Sequence, residues 1–169
     1  GPVLDYCLVG HMGEGKNVEL VIEAFIELYK RGSKAQITFY GGSEERLAEL
    51  QNQYDLPPTI HFKGIVNEVP YHLHQCYLSA SYTELFANAC VEALNQGLLA
   101  LLSDVDIAHR FYAGQSNAIN LFKTKSELIQ KIEEMEDPDF YLLNEKNLAL
   151  ASRYSLEKVA HIYRELLDR

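Results

Sequence analysis

Short apolar runs alternate with amphipathic stretches along this chain of 169 residues, and that alternation limits its possible folds more than any other feature. Val3 to Val9 (VLDYCLV) reads as a strand and leads into the glycine-rich turn GHMGEGKN. After Asn17, the residues Val18, Val21, Ile22, Phe25, Ile26 and Leu28 recur at helical spacing, and Gly32 supplies the stop. AQITFYGG is the second strand, and Ser43 is placed to cap the helix SEERLAELQNQY. TIHFKG forms a third strand, a short segment NEVPYHLHQ follows, and CYLSAS is a fourth strand. A helix over Phe86 to Gln96 ends at Gly97; LLALLSD and NAINLF are the fifth and sixth strands. KSELIQKIEEME is helical, and so is the C-terminal stretch, in two pieces divided near Tyr154 and Ser155.

Strand and helix in repeated alternation imply parallel strands joined by crossover helices. The near-continuous apolar runs fit strands covered on both faces. The expected fold is α/β, a single doubly wound Rossmann-like domain with a parallel sheet of about six strands and helices on both faces. Such sheets bind ligands beyond the carboxyl ends of their strands. Five loops belong to that edge: Gly10 to Asn17, Tyr40 to Glu44, Gly64 to Pro70, Ser79 to Asn88, and Ser103 to Arg110.

Composition narrows the partners. With 47% hydrophobic and 23% charged residues the chain is neither disordered nor fibrous. A formal charge of -9 argues against a broad surface for nucleic acid or anionic lipid, yet leaves room for a local phosphate pocket. No run has the length of a membrane-spanning helix. Gly1-Pro2 has the form left by protease removal of a tag, which implies that the natural start lies upstream and that residues 3–169 are one domain of a longer protein. Cys7, Cys76 and Cys90 are odd in number and without CxxC spacing, so they read as reduced, buried thiols of a cytoplasmic protein. His72, His74 and Cys76 spell HxHxC, but ligands two and four residues apart do not share a helical face, and no metal site is expected.

Two stretches on the carboxyl edge carry candidate chemistry. Gly10-His11-Met12-Gly13-Glu14-Gly15 is neither the GxGxxG of dinucleotide-binding folds nor a GxxxxGK[ST] phosphate loop. Its backbone N–H groups, the following helix start and Lys16 could cradle a phosphate; equally, the glycines could serve only a tight turn, with Lys16 in water. The second stretch is TELFANACVEAL, with Glu84 and Glu92 eight positions apart. On a helical wheel Glu92 joins Asn88, Asn95 and Gln96 on a polar stripe, while Cys90, Val91 and Leu94 line another side. A solvated helix face and a ligand-binding carboxylate both satisfy that pattern.

In its motifs the chain resembles the donor-binding half of family-four retaining glycosyltransferases, which have the two-domain GT-B architecture. Glu84 and Glu92 match the family's Glu-x7-Glu signature in register. ASYTELFAN…EALNQG resembles PSxxExFGN…EAxxxG, with Ser81, Phe86, Asn88, Glu92, Ala93 and Gly97 in agreement, and Ala80 and Ala87 replacing proline and glycine. VGHMGEGKNVELVIEAF looks like VGR…KN…LIEAF, and LLALLSDVDIAHRF resembles GxPVxxSD with Leu99 for the proline. The resemblance covers nearly the whole chain in the right order.

The resemblance implies a nucleotide-sugar donor, UDP- or GDP-linked, bound as substrate without cofactor or metal. It assigns Lys16 and Glu84 to catalysis, with Gly10, His11, Lys16, Glu84, Phe86, Ala87, Asn88 and Glu92 in the binding site. Glu92 would grip the ribose diol and Glu84 the transferred sugar; a carboxylate accepts two hydroxyl hydrogens in charge-assisted bonds. N–H groups near Phe86 to Asn88 would hold the diphosphate, and Lys16 would stabilise charge on the leaving group. The family's arginine after the first glycine is His11 here, a group only partly charged near neutral pH. Asp104 and Asp106 spell DxD, read here as turn formers rather than metal ligands. The implied setting is hexosyl transfer in cell-surface polysaccharide synthesis, cytoplasmic and at the inner membrane face, onto a sugar or lipid-linked acceptor. An N-terminal acceptor domain of the same chain, through which the protein would associate with the membrane, lies outside these residues, so they are expected to bind nucleotide without transferring sugar. Val159, Ile162, Tyr163 and Leu166 would then form an under-covered stripe on the final helix. A non-catalytic glycosyltransferase-like binding domain and a nucleotide-sugar epimerase of the same architecture are the alternatives.

Overall fold

A computed structural model describes residues 4–82, 88–104, 109–110, 113 and 119–139. Within them, strands β1 (Asp5–Val9), β2 (Gln36–Tyr40), β3 (Ile60–Gly64), β4 (Cys76–Ser79), β5 (Leu99–Ser103) and β6 (Ile119–Phe122) form one sheet. Their order is β3-β2-β1-β4-β5-β6, and every neighbouring pair is parallel. Helices α1 (Val18–Lys30), α2 (Glu44–Gln53), α3 (Asn88–Asn95) and α4 (Lys125–Met135) accompany it. This is the expected doubly wound parallel sheet. The stretch expected to form the C-terminal helices, with Val159, Ile162, Tyr163 and Leu166, falls outside the described residues.

Every residue of β4 and β5 is buried, as strands covered on both faces require. Crossover connections carry the chain outward from β1 to β3 and then back, so that β4 lies on the other side of β1. The strand order therefore reverses between β1 and β4, where neighbouring loops leave the sheet in opposite directions and open a crevice. Helix α1 buries Val18, Val21, Ile22, Ala24, Phe25 and Leu28, the stripe its spacing dictates. Phe25 meets Tyr6 of β1 edge to face, with ring centroids 5.6 Å apart. Helix α4 packs against α1, placing Met135 Sδ 3.8 Å from the Tyr6 hydroxyl, and Arg31 Nη1 bridges to Glu133 at 2.8 Å.

Local signals set the element ends. Ser43 Oγ accepts the Arg46 N–H at 3.1 Å at the start of α2, and Thr124 Oγ1 accepts the Glu127 N–H at 3.1 Å at the start of α4. Gly32 and Gly97, at φ of +88° and +85°, take the left-handed conformation that closes α1 and α3. Several strands are a residue or two shorter than expected, and β4 stops at Ser79 rather than running on through Ser81. The Ser79 hydroxyl takes the Ser81 N–H at 3.4 Å, a local side-chain bond that replaces the next rung of the ladder.

A chain of polar groups crosses the interior. His74 Nε2 lies 2.7 Å from the Tyr40 hydroxyl, and Nδ1 lies 3.3 Å from Asp5 Oδ1. A neutral imidazole satisfies both neighbours, donating from Nδ1 to Asp5 and accepting at Nε2. Burial holds the His74 pKa below its ordinary 6.5, outweighing the opposite pull of Asp5. The unfolded chain therefore binds this proton more tightly than the folded one. The stability contributed by neutral His74 is complete above the unfolded value and declines as pH falls below it. Urea titrations between about pH 7 and 5 should show wild type losing stability on acidification more steeply than His74→Gln. A shallower slope for wild type would mean that the Asp5 ion pair outweighs burial.

Candidate functional site at the strand-order reversal

The turn after β1 is built on a close approach of two backbones. The Gly10 N–H donates to the Tyr40 carbonyl at 3.0 Å, holding the end of β1 against the end of β2. Gly41 follows at φ +105°, and a Cβ there would stand 1.9 Å from the Gly10 carbonyl oxygen. No side chain fits between them. Over Gly10 itself lies the arm of Lys16: a Cβ on Gly10 would meet Lys16 Cε at 2.8 Å and Nζ at 3.4 Å. Lys16 closes a short 3-10 turn (Glu14–Lys16), its N–H bonded to the Gly13 carbonyl at 3.0 Å, and α1 begins two residues later. The lysine that could equally have pointed to water is folded back across the first glycine.

Met12 fixes the rest of the turn. Its backbone is left-handed, at φ +62°, and its side chain is fully buried, with Cγ 2.8 Å from where a Cβ on Gly42 would be. A methionine held in that conformation needs outside support. The Met12 carbonyl accepts from Arg46 Nε at 2.8 Å, and Arg46 is in turn paired with Glu19 of α1. Exposed His11 accepts the Gly13 N–H on Nδ1 at 3.1 Å.

Across the reversal, the loop after β4 is anchored to this turn. The Tyr82 N–H donates to the Gly15 carbonyl at 3.0 Å. Ser81 is fully buried; its carbonyl accepts from Ser103 Oγ at 2.7 Å, and Ser103 Oγ also lies 3.1 Å from His109 Nδ1. The ends of β4 and β5 are thereby tied together beneath the loop. Helix α3 then buries Cys90, Ala93 and Leu94 and exposes Glu92 and Asn95, with Gln96 exposed just past its end, the division that the wheel dictates. Asn88 opens α3; Glu84, Phe86 and Ala87 lie outside the described residues.

Glu92 borders a cleft of about 490 Å³, opposite the segment Val66–Val69 that leaves β3. Tyr71, in the short turn Tyr71–Leu73, donates its hydroxyl to Glu92 Oε2 at 3.2 Å. Burial first, and the Glu92 carboxylate second, push the Tyr71 pKa far up, so the phenol keeps its proton. Sequence reading did not find Tyr71 or Met12, because both act through contacts made only in the folded chain.

The other candidate motifs separate in space. His72 borders the cleft, His74 is engaged by Tyr40 and Asp5, and Cys76 is buried in β4. Among the described residues no group of three or more His, Cys, Asp or Glu side chains is placed to hold a metal. Burial raises the Cys7 pKa to about 12 and that of Cys76 well above the ordinary thiol value. Asp104 is neutralised by Arg110 at 2.8 Å and Lys123 at 3.7 Å; Asp106 is outside the described residues. Among the described residues no helix is long and apolar enough to cross a membrane.

A glycine turn and a helix-borne carboxylate on opposite sides of the strand-order reversal define the class, a Rossmann-like ligand-binding domain. The profile of the family described as glycosyl transferases group 1 matches residues 4–155, and the chain belongs to that family. Solved structures agree on the fold. The pneumococcal O-GlcNAc transferase GtfA in complex with UDP and GlcNAc superposes with a TM-score of 0.70 at 20% identity, over 98% of this chain and 36% of that one. Anabaena Alr3699/HepE in complex with UDP and glucose gives 0.75 at 18% identity, over 98% and 48%. WaaG, a glycosyltransferase involved in lipopolysaccharide biosynthesis, gives 0.74 at 18% identity, over 95% and 47%. The chain thus spans less than half the length of each of these three. A search of curated proteins finds no match.

The Gly10–Gly41 contact is open to direct test. Gly41→Ala adds a methyl group to occupied space at a left-handed φ, and should cost roughly 2–5 kcal/mol in chemical denaturation. Wild-type stability in that variant would show that the two turns are free to separate.

Proposed function

We propose that this chain is the donor-binding domain of a nucleotide-sugar-dependent hexosyltransferase that retains anomeric configuration and serves cell-surface glycan synthesis, capsular, exopolysaccharide or lipopolysaccharide. The observation that carries the reading is the division of charge around the crevice. A cation is folded over the glycine turn on the β1 side, and a carboxylate opens onto a cleft on the β4 side. A nucleoside diphosphate has the complementary layout, with an anionic diphosphate at one end and a ribose diol at the other. UDP in two of the similar structures supports a uridine-linked donor, with a guanosine-linked one as the alternative.

In this reading Glu92 accepts from the ribose hydroxyls and Glu84 from those of the sugar, each in charge-assisted bonds. Lys16 meets the negative charge that grows on the departing diphosphate, an interaction stronger in the transition state than in the ground state. Gly10, His11 and the backbone of Phe86, Ala87 and Asn88 line the phosphates, whose charge the exposed N–H groups of a helix start favour. No metal is assigned to the reaction. Residues 3–169 form the donor domain; the acceptor, sugar or lipid-linked, is held by an N-terminal domain of the same protein, in the cytoplasm at the inner membrane face. A non-catalytic binding domain is the second reading, favoured by His11, whose Nδ1 serves turn geometry in a position where the family carries arginine.

Calorimetry on two variants tests the division of labour. Glu92→Gln should weaken nucleoside diphosphate binding by roughly 1.5–3 kcal/mol, the value of hydrogen bonds to a charged group. Glu84→Gln should leave the free nucleotide's affinity unchanged and lower only the increment that the sugar adds. Equal losses in both variants would refute these roles, and a wild-type chain silent toward UDP and GDP at millimolar concentration would favour the non-catalytic reading.

A further inference from the structure

We propose that Tyr71 is the positioning residue for Glu92 and thereby sets the preference of the site for a ribose over a 2′-deoxyribose; this rests on the donor-site reading above. Glu92 sits on the exposed side of α3, where a glutamate ordinarily samples several rotamers and loses that freedom when a ligand orders it. Here Oε2 is held by the Tyr71 hydroxyl at 3.2 Å. The tyrosine is itself a fixed point. Its side chain is buried, its N–H donates to the Val69 carbonyl at 2.9 Å, and its carbonyl accepts the His74 N–H at 3.0 Å. Pro70 precedes it and restricts the backbone further.

The hydroxyl has one proton, and burial beside a carboxylate keeps that proton on the phenol. Tyr71 therefore occupies one acceptor position on Oε2 of this cleft-lining residue and leaves Oε1 and the remaining Oε2 position for other donors. Two adjacent acceptors with one oxygen fixed in direction match a vicinal diol, and a sugar with one hydroxyl uses only half of the arrangement. Ordering the carboxylate beforehand lowers the entropic cost of binding the diol. It does much less for a ligand that makes a single bond.

The test measures, by calorimetry, whichever of UDP and GDP the wild-type chain binds more tightly, together with its 2′-deoxy analogue. Wild type should favour the ribo form. Tyr71→Phe removes one buried oxygen and no ring volume, so the fold should survive. It should weaken the ribo form roughly three- to tenfold, and the deoxy form less, so that the preference narrows. In a Glu92→Ala background, which removes the acceptor, the same Tyr71→Phe change should have no further effect. Equal weakening of both forms, or an undiminished effect in the Glu92→Ala background, would show that Tyr71 only packs, and would overturn the proposal while the donor reading stands. Failure of Tyr71→Phe to fold would overturn it in the same way. A wild-type chain that binds ribo and deoxy forms equally would overturn the ribose role of Glu92 itself, and Tyr71's role with it.

Discussion

The approach of Gly41 to the Gly10 carbonyl, too close for any side chain, is the contact on which the arrangement of this edge depends. It lets the loops after β1 and β2 lie against one another, and so directs the β1 loop toward β4 rather than over the far side of the sheet. Three further interactions hold that direction. Arg46 bonds the Met12 carbonyl, the Met12 side chain fills the space beside Gly42, and the Tyr82 N–H reaches the Gly15 carbonyl from across the reversal. Backbone groups dominate this framework. This part of the edge is shaped by where side chains are absent.

Electrostatics at the site is local. A chain with a formal charge of -9 repels anions at long range, so a diphosphate has to be held by groups within bonding distance. In the proposed reading Lys16, lying over Gly10, is the cation that meets that need. The acidic groups near the crevice are managed in different ways. Asp104 is neutralised by Arg110 and Lys123, and Glu19 by Arg46, whereas Glu92 has a hydroxyl for a neighbour and keeps its charge available for hydrogen bonding in the cleft. A carboxylate oriented by a neutral donor suits a ligand's hydroxyls better than one already spent on a cation.

The fold was legible because its signals are local. The α1 stripe, the Ser43 cap and the stops at Gly32 and Gly97 are properties of a few consecutive residues, and they stand where periodicity and turn chemistry put them. The end of β4 was misread because Ala80 and Ser81 are buried like strand residues, while a hydroxyl two positions away takes the backbone bond. The site was legible in part. Gly10, Lys16 and Glu92 stand out by type and spacing, but the distance between a ring and a carboxylate twenty-one residues apart, as in Tyr71 and Glu92, is set only by the sheet order. Met12 gave no signal at all: a methionine among glycines reads as a loop residue, and its burial follows from a left-handed φ that no residue pattern announces.

The central claim is that one nucleotide spans the reversal between β1 and β4. The most direct measurement is a titration of ¹⁵N-labelled chain with UDP, and in parallel with GDP, following every backbone amide. The account predicts that signals from Gly10 to Asn17, from Val66 to Tyr71 and from α3 move together, with one common binding constant, while the amino-end residues of the strands stay still. Shifts confined to one side of the reversal, shifts at the opposite edge of the sheet, or none with either nucleotide at millimolar concentration, would contradict it.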